Sequence, residues 1–245
     1  MNIIKPSPAE KEKAIEYILA QGLVKPKSLW QYLEELYRAL GFRYLFVNTV
    51  QPVLISVALM TGFILLYPWP TEQYKNALLF ATAPLFFIFA VVLTETVERS
   101  SPLYDLKMTC KYTIQQITAF RVFVFSLLGM VFCTLLSLFA GISEVADFFR
   151  AFSLSLCALF FCSLLSIFFL RRFPWRWIHL LPGMLWLVLG FSPLWLLQER
   201  WELFLSQVPV ALTTTFAAIA LGLYIKELKM LMDISRRGVV SYVGC

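Results

Sequence analysis

Six stretches of the chain lack Asp, Glu, Lys and Arg altogether: Tyr44–Thr71, Asn76–Thr94, Val122–Ser143, Ala151–Leu170, Trp177–Gln198 and Leu203–Ile225. A membrane-spanning helix needs about 20 consecutive, largely apolar residues. In hydrocarbon each backbone N–H and C=O must be satisfied within its own segment, so windows of this length become helices. They are too long for barrel strands and lack the alternation of apolar and polar positions that a barrel requires. The expected fold is an all-α polytopic membrane protein. A cytoplasmic N-terminal segment (1–43) precedes a six-helix transmembrane domain (44–225), whose inner loop is 95–121, and a cytoplasmic tail (226–245) follows.

Two polar segments carry helical patterns of their own. In the N-terminal segment, Gly22 and Pro26 separate a first helix, Pro8 to Gln21, from a second that starts after Ser28. In the second helix Leu29, Leu33, Leu36 and Leu40 recur at spacings of four, three and four. Trp30 and Tyr37 widen that face, and Gln31, Glu35 and Arg38 oppose it. Such a helix lies in the membrane interface ahead of the first span; a plain insertion anchor is the simpler reading of the same pattern. In the loop, Ser101 and Pro102 make a helix start. Leu103, Leu106, Cys110 and Ile117 then form one stripe, and Tyr104, Lys107, Lys111 and Gln115 another. The pattern predicts a short surface helix presenting polar residues, or a solvated loop with helical character.

Composition agrees with the windows. Hydrophobic residues make up 60% of the 245 and charged residues 15%, with a mean hydropathy of +0.74. A soluble domain is about 45–50% apolar and about 25% charged. Disorder, a collagen-like repeat and a nucleic-acid-binding domain are thereby excluded. Sorting the seven polar regions alternately puts 18 of the 21 Lys and Arg on one side, leaving Lys75, Arg150 and Arg200 on the other. The positive-inside rule then places both termini in the cytoplasm, as suits a multi-pass protein of the plasma membrane. Tyr67, Trp69 and Tyr74 at the first outer loop, and Trp175 and Trp177 at an inner boundary, fit the headgroup layer. With the first apolar window starting near residue 44, no cleavable signal peptide is expected.

Four features together resemble one family: the interfacial segment 28–40, the polar stretch Thr94–Arg121 after span two, the pair Glu98-Arg99 leaving that span, and the order Leu106, Thr113, Arg121 into span three. It is that of the small six-span permease subunits of ABC-2-type ATP-binding-cassette transporters. Where those subunits have a Gly after the acidic-basic pair, this chain has Ser100-Ser101-Pro102, and a Pro-x-Ser element ahead of span three is Tyr112-Thr113-Ile114 here. The outer run Gln198-Glu-Arg-Trp-Glu202 loosely resembles the family's short outer helical insertion. The resemblance implies a coupling helix that meets a separate ATPase through Glu98, Arg99, Leu103, Leu106, Lys107, Cys110 and Lys111. It also implies a second permease subunit, identical or related, and a substrate path between the two. The implied cargo of an exporter with such apolar spans is an amphipathic peptide or a lipid-like molecule.

The chemistry present is sparse. No G-x-x-x-x-G-K-[ST] run occurs, so ATP belongs on a partner subunit and no cofactor is bound directly. Asn48 and Gln51 at the inner end of span one, with Thr213 and Thr214 early in span six, are the candidate pathway residues. Each has a packing alternative, and Thr213 to Thr215 with Ser153, Ser155, Ser163 and Ser166 suit close helix contacts. Pro52, Pro84, Pro182 and Pro193 are expected to kink their spans. His179 is the only histidine and reads as an interfacial residue; one histidine without nearby Cys or carboxylate builds no zinc site. No Ser or Cys has a base in reach, so an enzyme is not expected. The alternative to a transporter is a membrane-anchored regulator that holds a cytoplasmic signalling protein or sigma-factor antagonist through the same two segments.

Overall fold

The computed structural model describes residues 10–14, 17, 30–31, 33–35, 37–38, 41, 49–66, 75–100, 114–139, 145–173 and 177–242, with the side chains of 63–66, 114–115, 139 and 232–242 outside that description. The chain divides into two units, 1–41 and 42–245. In the first unit the described residues are helical. Arg38 donates to Glu34 at 2.6 Å across one exposed turn, a pair worth a few tenths of a kcal/mol. Gly41 has φ +73°, the left-handed conformation in which glycine ends a helix without a Cβ clash. On the expected shared face Leu33 is buried, and Trp30 and Tyr37 are exposed. Leu29, Leu36 and Leu40 lie outside the described residues.

The second unit is all-helical over its described residues, with no strand among them. Its helices are α1 (Val50–Leu66), α2 (Lys75–Thr82), α3 (Leu85–Ser100), α4 (Ile114–Phe139), α5 (Val145–Arg172), α6 (Leu181–Leu196), α7 (Glu199–Gln207) and α8 (Val210–Tyr242), with a 3₁₀ turn at Ile178–Leu180 before α6. Five segments are long and apolar enough to cross a membrane: Lys75–Ser100, Gln116–Leu138, Val145–Arg172, Ile178–Leu196 and Val210–Leu231. In the first expected window the described apolar helix, Val50–Gly62, is shorter. Asp147 in the first turn of α5 and Arg171 and Arg172 in its last complement the helix dipole.

Three boundaries differ from the sequence windows, each for a physical reason. The second and third spans overrun theirs into polar sequence, α3 to Ser100 and α4 back to Ile114, so both helices extend into the expected loop 95–121. The charged residues on those extensions neutralise one another. The sixth window, Leu203–Ile225, is two helices: Gln198 at φ +42° turns the chain into α7, and Pro209 precedes α8. Pro52 falls in the first turn of α1, where its missing N–H costs nothing, and not at a hinge within the helix.

Pro84 does break the second span, between α2 and α3. Without an N–H it cannot bond the carbonyl four residues back. One residue on from the Phe80 carbonyl that Pro84 leaves without its helical donor, the Trp186 indole Nε1–H of α6 donates to the Ala81 carbonyl at 3.1 Å. Phe80 packs against the same indole at 5.4 Å, and Gly190 admits it, since a Cβ there would sit 3.2 Å from Trp186 Nε1.

The broken second span is the axis of the bundle, with 78% of its apolar window buried against 22% for the last helix. α5 is the other hub, packing on α8, α4, α2 and α6. α8 shows why a peripheral span still holds its register. Thr213, Ala217, Ala220, Tyr224, Leu228 and Leu231 are buried at helical spacing, while Leu212, Phe216, Ile219 and Leu223 form an exposed apolar stripe of the kind lipid requires. Ser153 and Thr213 hydroxyls meet at 2.8 Å between α5 and α8, and Ser126 and Tyr224 at 3.3 Å between α4 and α8. These are the interhelical polar contacts that hold membrane helices together.

Candidate functional site

At one end of the bundle, charged residues are buried in a layer where α3, α4 and the 3₁₀ turn meet. α3 carries Glu95, Glu98 and Arg99 at spacings of three and one, so the two carboxylates share a face and Arg99 lies one turn beyond Glu95. Arg99 Nε is 3.4 Å from Glu95 Oε2. Across the helix interface, Arg121 of α4 donates through both Nη1 and Nη2 to Glu98 Oε2, each at 3.2 Å. The side chains of Arg121 and Glu98 are only 4% and 5% exposed. Gln116 and Thr118 are buried on α4, and Thr94 on α3. Two acids and two bases cancel within the layer.

Burying two ions is costly, and their mutual attraction repays it only with good geometry and additional polar partners. Glu98, Arg99, Gln116 and Arg121 each make further interactions, as such a layer demands. The consequence is mechanical. The last turn of the second span and the first turns of the third are tied by a charged pair in a low-dielectric setting, and removal of either partner would take away the facing charge of a buried ion.

His179 completes the layer. It is buried, with Nε2 3.3 Å from Thr96 Oγ1. The Thr96 hydroxyl has one proton and donates it to the Val92 carbonyl at 2.7 Å, so His179 Nε2–H is the donor to Thr96. Neighbouring Trp177 is exposed, whereas His179 turns inward to fasten the start of α6 to α3. A second fastening on the same end joins α5 to α8, where Arg171 Nε is 2.9 Å from Glu227 Oε2 and Arg171 Nη1 is 3.2 Å from Met230 Sδ.

The opposite end has its own charged contact. Glu202 of α7 accepts from Asn76 N at 3.1 Å, Asn76 Nδ2 at 2.8 Å and Ala77 N at 2.8 Å. A carboxylate 126 residues downstream therefore satisfies the free N–H groups at the start of α2. Trp201 packs edge-on to Phe80 in the same corner.

The sequence-derived residues distribute unevenly over this geometry. Glu98 and Arg99 are in the buried layer; they do not stand on an exposed helix surface. Leu103, Leu106, Lys107, Cys110 and Lys111 lie outside the described residues, as does Asn48. Gln51 is exposed near the start of α1, Thr213 is buried against Ser153, and Thr214 is exposed with its hydroxyl on the Ala211 carbonyl. Sequence reasoning missed Glu95 and the Glu202 contact as structural features. For Glu95 the i, i+4 spacing to Arg99 was a legible signal; for Glu202 none was, because its partners are distant in sequence. Among the described residues no group of three His, Cys, Asp or Glu is placed to hold a metal ion. Comparison with protein-family models, with curated proteins and with solved structures gives no match.

Proposed function

We propose that the chain is a transmembrane permease subunit of an ABC-type transporter, with six spans and both termini in the cytoplasm, resident in the plasma membrane. It exports an amphipathic peptide or lipid-like substrate, driven by a separate P-loop ATPase subunit that carries the ATP, and it pairs with a second permease, identical or related. The observation that supports this reading is the buried Glu98–Arg121 pair. A segment that receives force from an ATPase must hang from a base that moves as one body. Residues 101–113 join α3, which ends at Ser100, to α4, which starts at Ile114, and the pair ties these two helices together, so a push on 101–113 would be delivered to the second and third spans together.

The test is gentle detergent extraction of the tagged chain, identification of stoichiometric partners and an ATPase assay. A P-loop subunit with vanadate-sensitive turnover is the expected outcome. A partner without a nucleotide site would refute it and favour the membrane-anchored regulator. Leu106→Asp with Cys110→Asp is expected to release the ATPase while the membrane domain stays folded; retention of the partner would sink the coupling role of 101–113.

A further inference from the structure

The last turn of α5 fixes where a membrane boundary falls on α8. From Ala151 to Leu170, α5 carries no charged side chain. Twenty residues of helix rise about 30 Å, the thickness of the hydrocarbon core of a bilayer. Arg150 and Arg171, which bracket that stretch, therefore stand at its two faces. Arg171 is held on α8 by Glu227 and Met230, so the boundary crosses α8 at that level. Lys226 precedes Glu227 on α8 and Arg172 follows Arg171 on α5, which brings both to the same level. Lys229 is three residues from Lys226, a neighbour on the helix surface.

Charge at this level is one-sided. Arg171 and Glu227 cancel, but Arg172, Lys226 and Lys229 are exposed and have no ion-pair partner among the described residues. Arg99, Arg121 and Arg150, by contrast, each face a carboxylate. The three free cations end an apolar track. On α8 the exposed Leu212, Phe216, Ile219 and Leu223 recur at spacings of four, three and four, and Lys226 comes three residues further on the same face. From Phe216 to Lys226 the helix rises about 15 Å, half of the hydrocarbon core and so the depth of one leaflet. Trp177, exposed ahead of the 3₁₀ turn that packs on α5, stands at the same end, and tryptophan favours the headgroup layer.

We propose that this corner of α5 and α8 is a docking surface for an anionic phospholipid of the adjoining leaflet. Its headgroup phosphate meets Arg172, Lys226 and Lys229, and an acyl chain lies along Phe216, Ile219 and Leu223. Charge complementarity selects the headgroup, because a zwitterionic lipid brings a cation of its own to a surface that already holds three. Arginine forks onto phosphate oxygens and lysine adds a point charge, while the methylene stems of all three lie along apolar surface. An acidic soluble protein would meet the cations but leave the apolar track, which lies at membrane depth, uncovered. The inference rests on the depth and charge of α5 and α8 and is independent of the transporter reading.

The test is native mass spectrometry of the full chain in detergent, titrated with phosphatidylglycerol and, separately, with phosphatidylcholine. A basic side chain at an anionic surface contributes about fivefold to affinity, so the three together should favour phosphatidylglycerol by at least about tenfold. Arg172→Gln with Lys226→Gln and Lys229→Gln is expected to abolish that preference and leave phosphatidylcholine binding unchanged. Lys226→Gln alone should cost about fivefold, and Lys226→Arg with Lys229→Arg should cost nothing. Lys75→Gln with Arg200→Gln, at the opposite end of the bundle, should also leave the preference intact. Equal affinity of the unaltered chain for the two lipids overturns the proposal, as does a preference that survives the triple variant or falls as far in the Lys75 and Arg200 variant. Displacement of phosphatidylglycerol by millimolar inorganic phosphate overturns it too, by assigning the cations to a soluble anion.

Discussion

Replacing Glu98 by Gln would remove the carboxylate that faces the Arg121 guanidinium, which is buried at 4% exposure. Removing one partner of a buried ion pair costs about 3–5 kcal/mol, because the loss includes the stranded charge as well as the attraction. Near-complete burial leaves no solvent screening to discount. Both hydrogen bonds converge on one carboxylate oxygen at 3.2 Å, longer than the roughly 2.7–2.9 Å of strong charge-assisted bonds. The lower end, about 3 kcal/mol, therefore applies. On the scale for chains of roughly 150–250 residues, that lowers Tm by roughly 6–12 °C. Arg121→Gln should cost a similar amount, since the buried Glu98 then loses the guanidinium that faces it. The double variant removes both charges together and should recover most of the loss, giving a coupling energy of about 2 kcal/mol or more in a double-mutant cycle. The assay is thermal unfolding in one detergent, read by the loss of a monodisperse chromatographic peak. Additive effects within about 0.5 kcal/mol would refute the claim that the pair ties the two spans.

Three further outcomes follow from the packing. Gly183→Val should destabilise by about 1–3 kcal/mol, since a Cβ there meets Ile88 Cγ2 at 2.8 Å, whereas Gly222→Val, with nothing within 4 Å, should be neutral; thermal unfolding of both variants checks the contrast. Glu202→Ala should cost about 1–2 kcal/mol by uncapping α2, and Glu202→Gln less, because an amide oxygen still accepts from Asn76 or Ala77; proteolysis at Lys75 should speed up in the same order. Trp186→Phe keeps the ring against Phe80 but removes the donor to Ala81, and about 1–3 kcal/mol should be lost on unfolding.

That the chain is helical and membrane-spanning is legible in its pattern of residues, because the requirement is local: an uncharged window must satisfy its backbone within itself. Five of the windows correspond to helices long and apolar enough to cross, and Pro84 is legible as a break because a residue without an N–H interrupts any helix. The cytoplasmic side of the termini and the coupling partner rest on charge placement and resemblance alone. Where polar residues end up is fixed only once helices meet. A window count stops span two at Thr94 because Glu95 is charged. The fold carries that helix on to Ser100, since Arg99 and Arg121 neutralise Glu95 and Glu98 from a turn away and from another helix. His179 reads as interfacial beside its tryptophans, yet Thr96, 83 residues earlier, draws it inward. Glu202 caps a helix that begins at Lys75. A hydropathy window reads a residue against its chain neighbours, whereas the cost of burying a charge or a hydroxyl is set by the partner that packing brings to it.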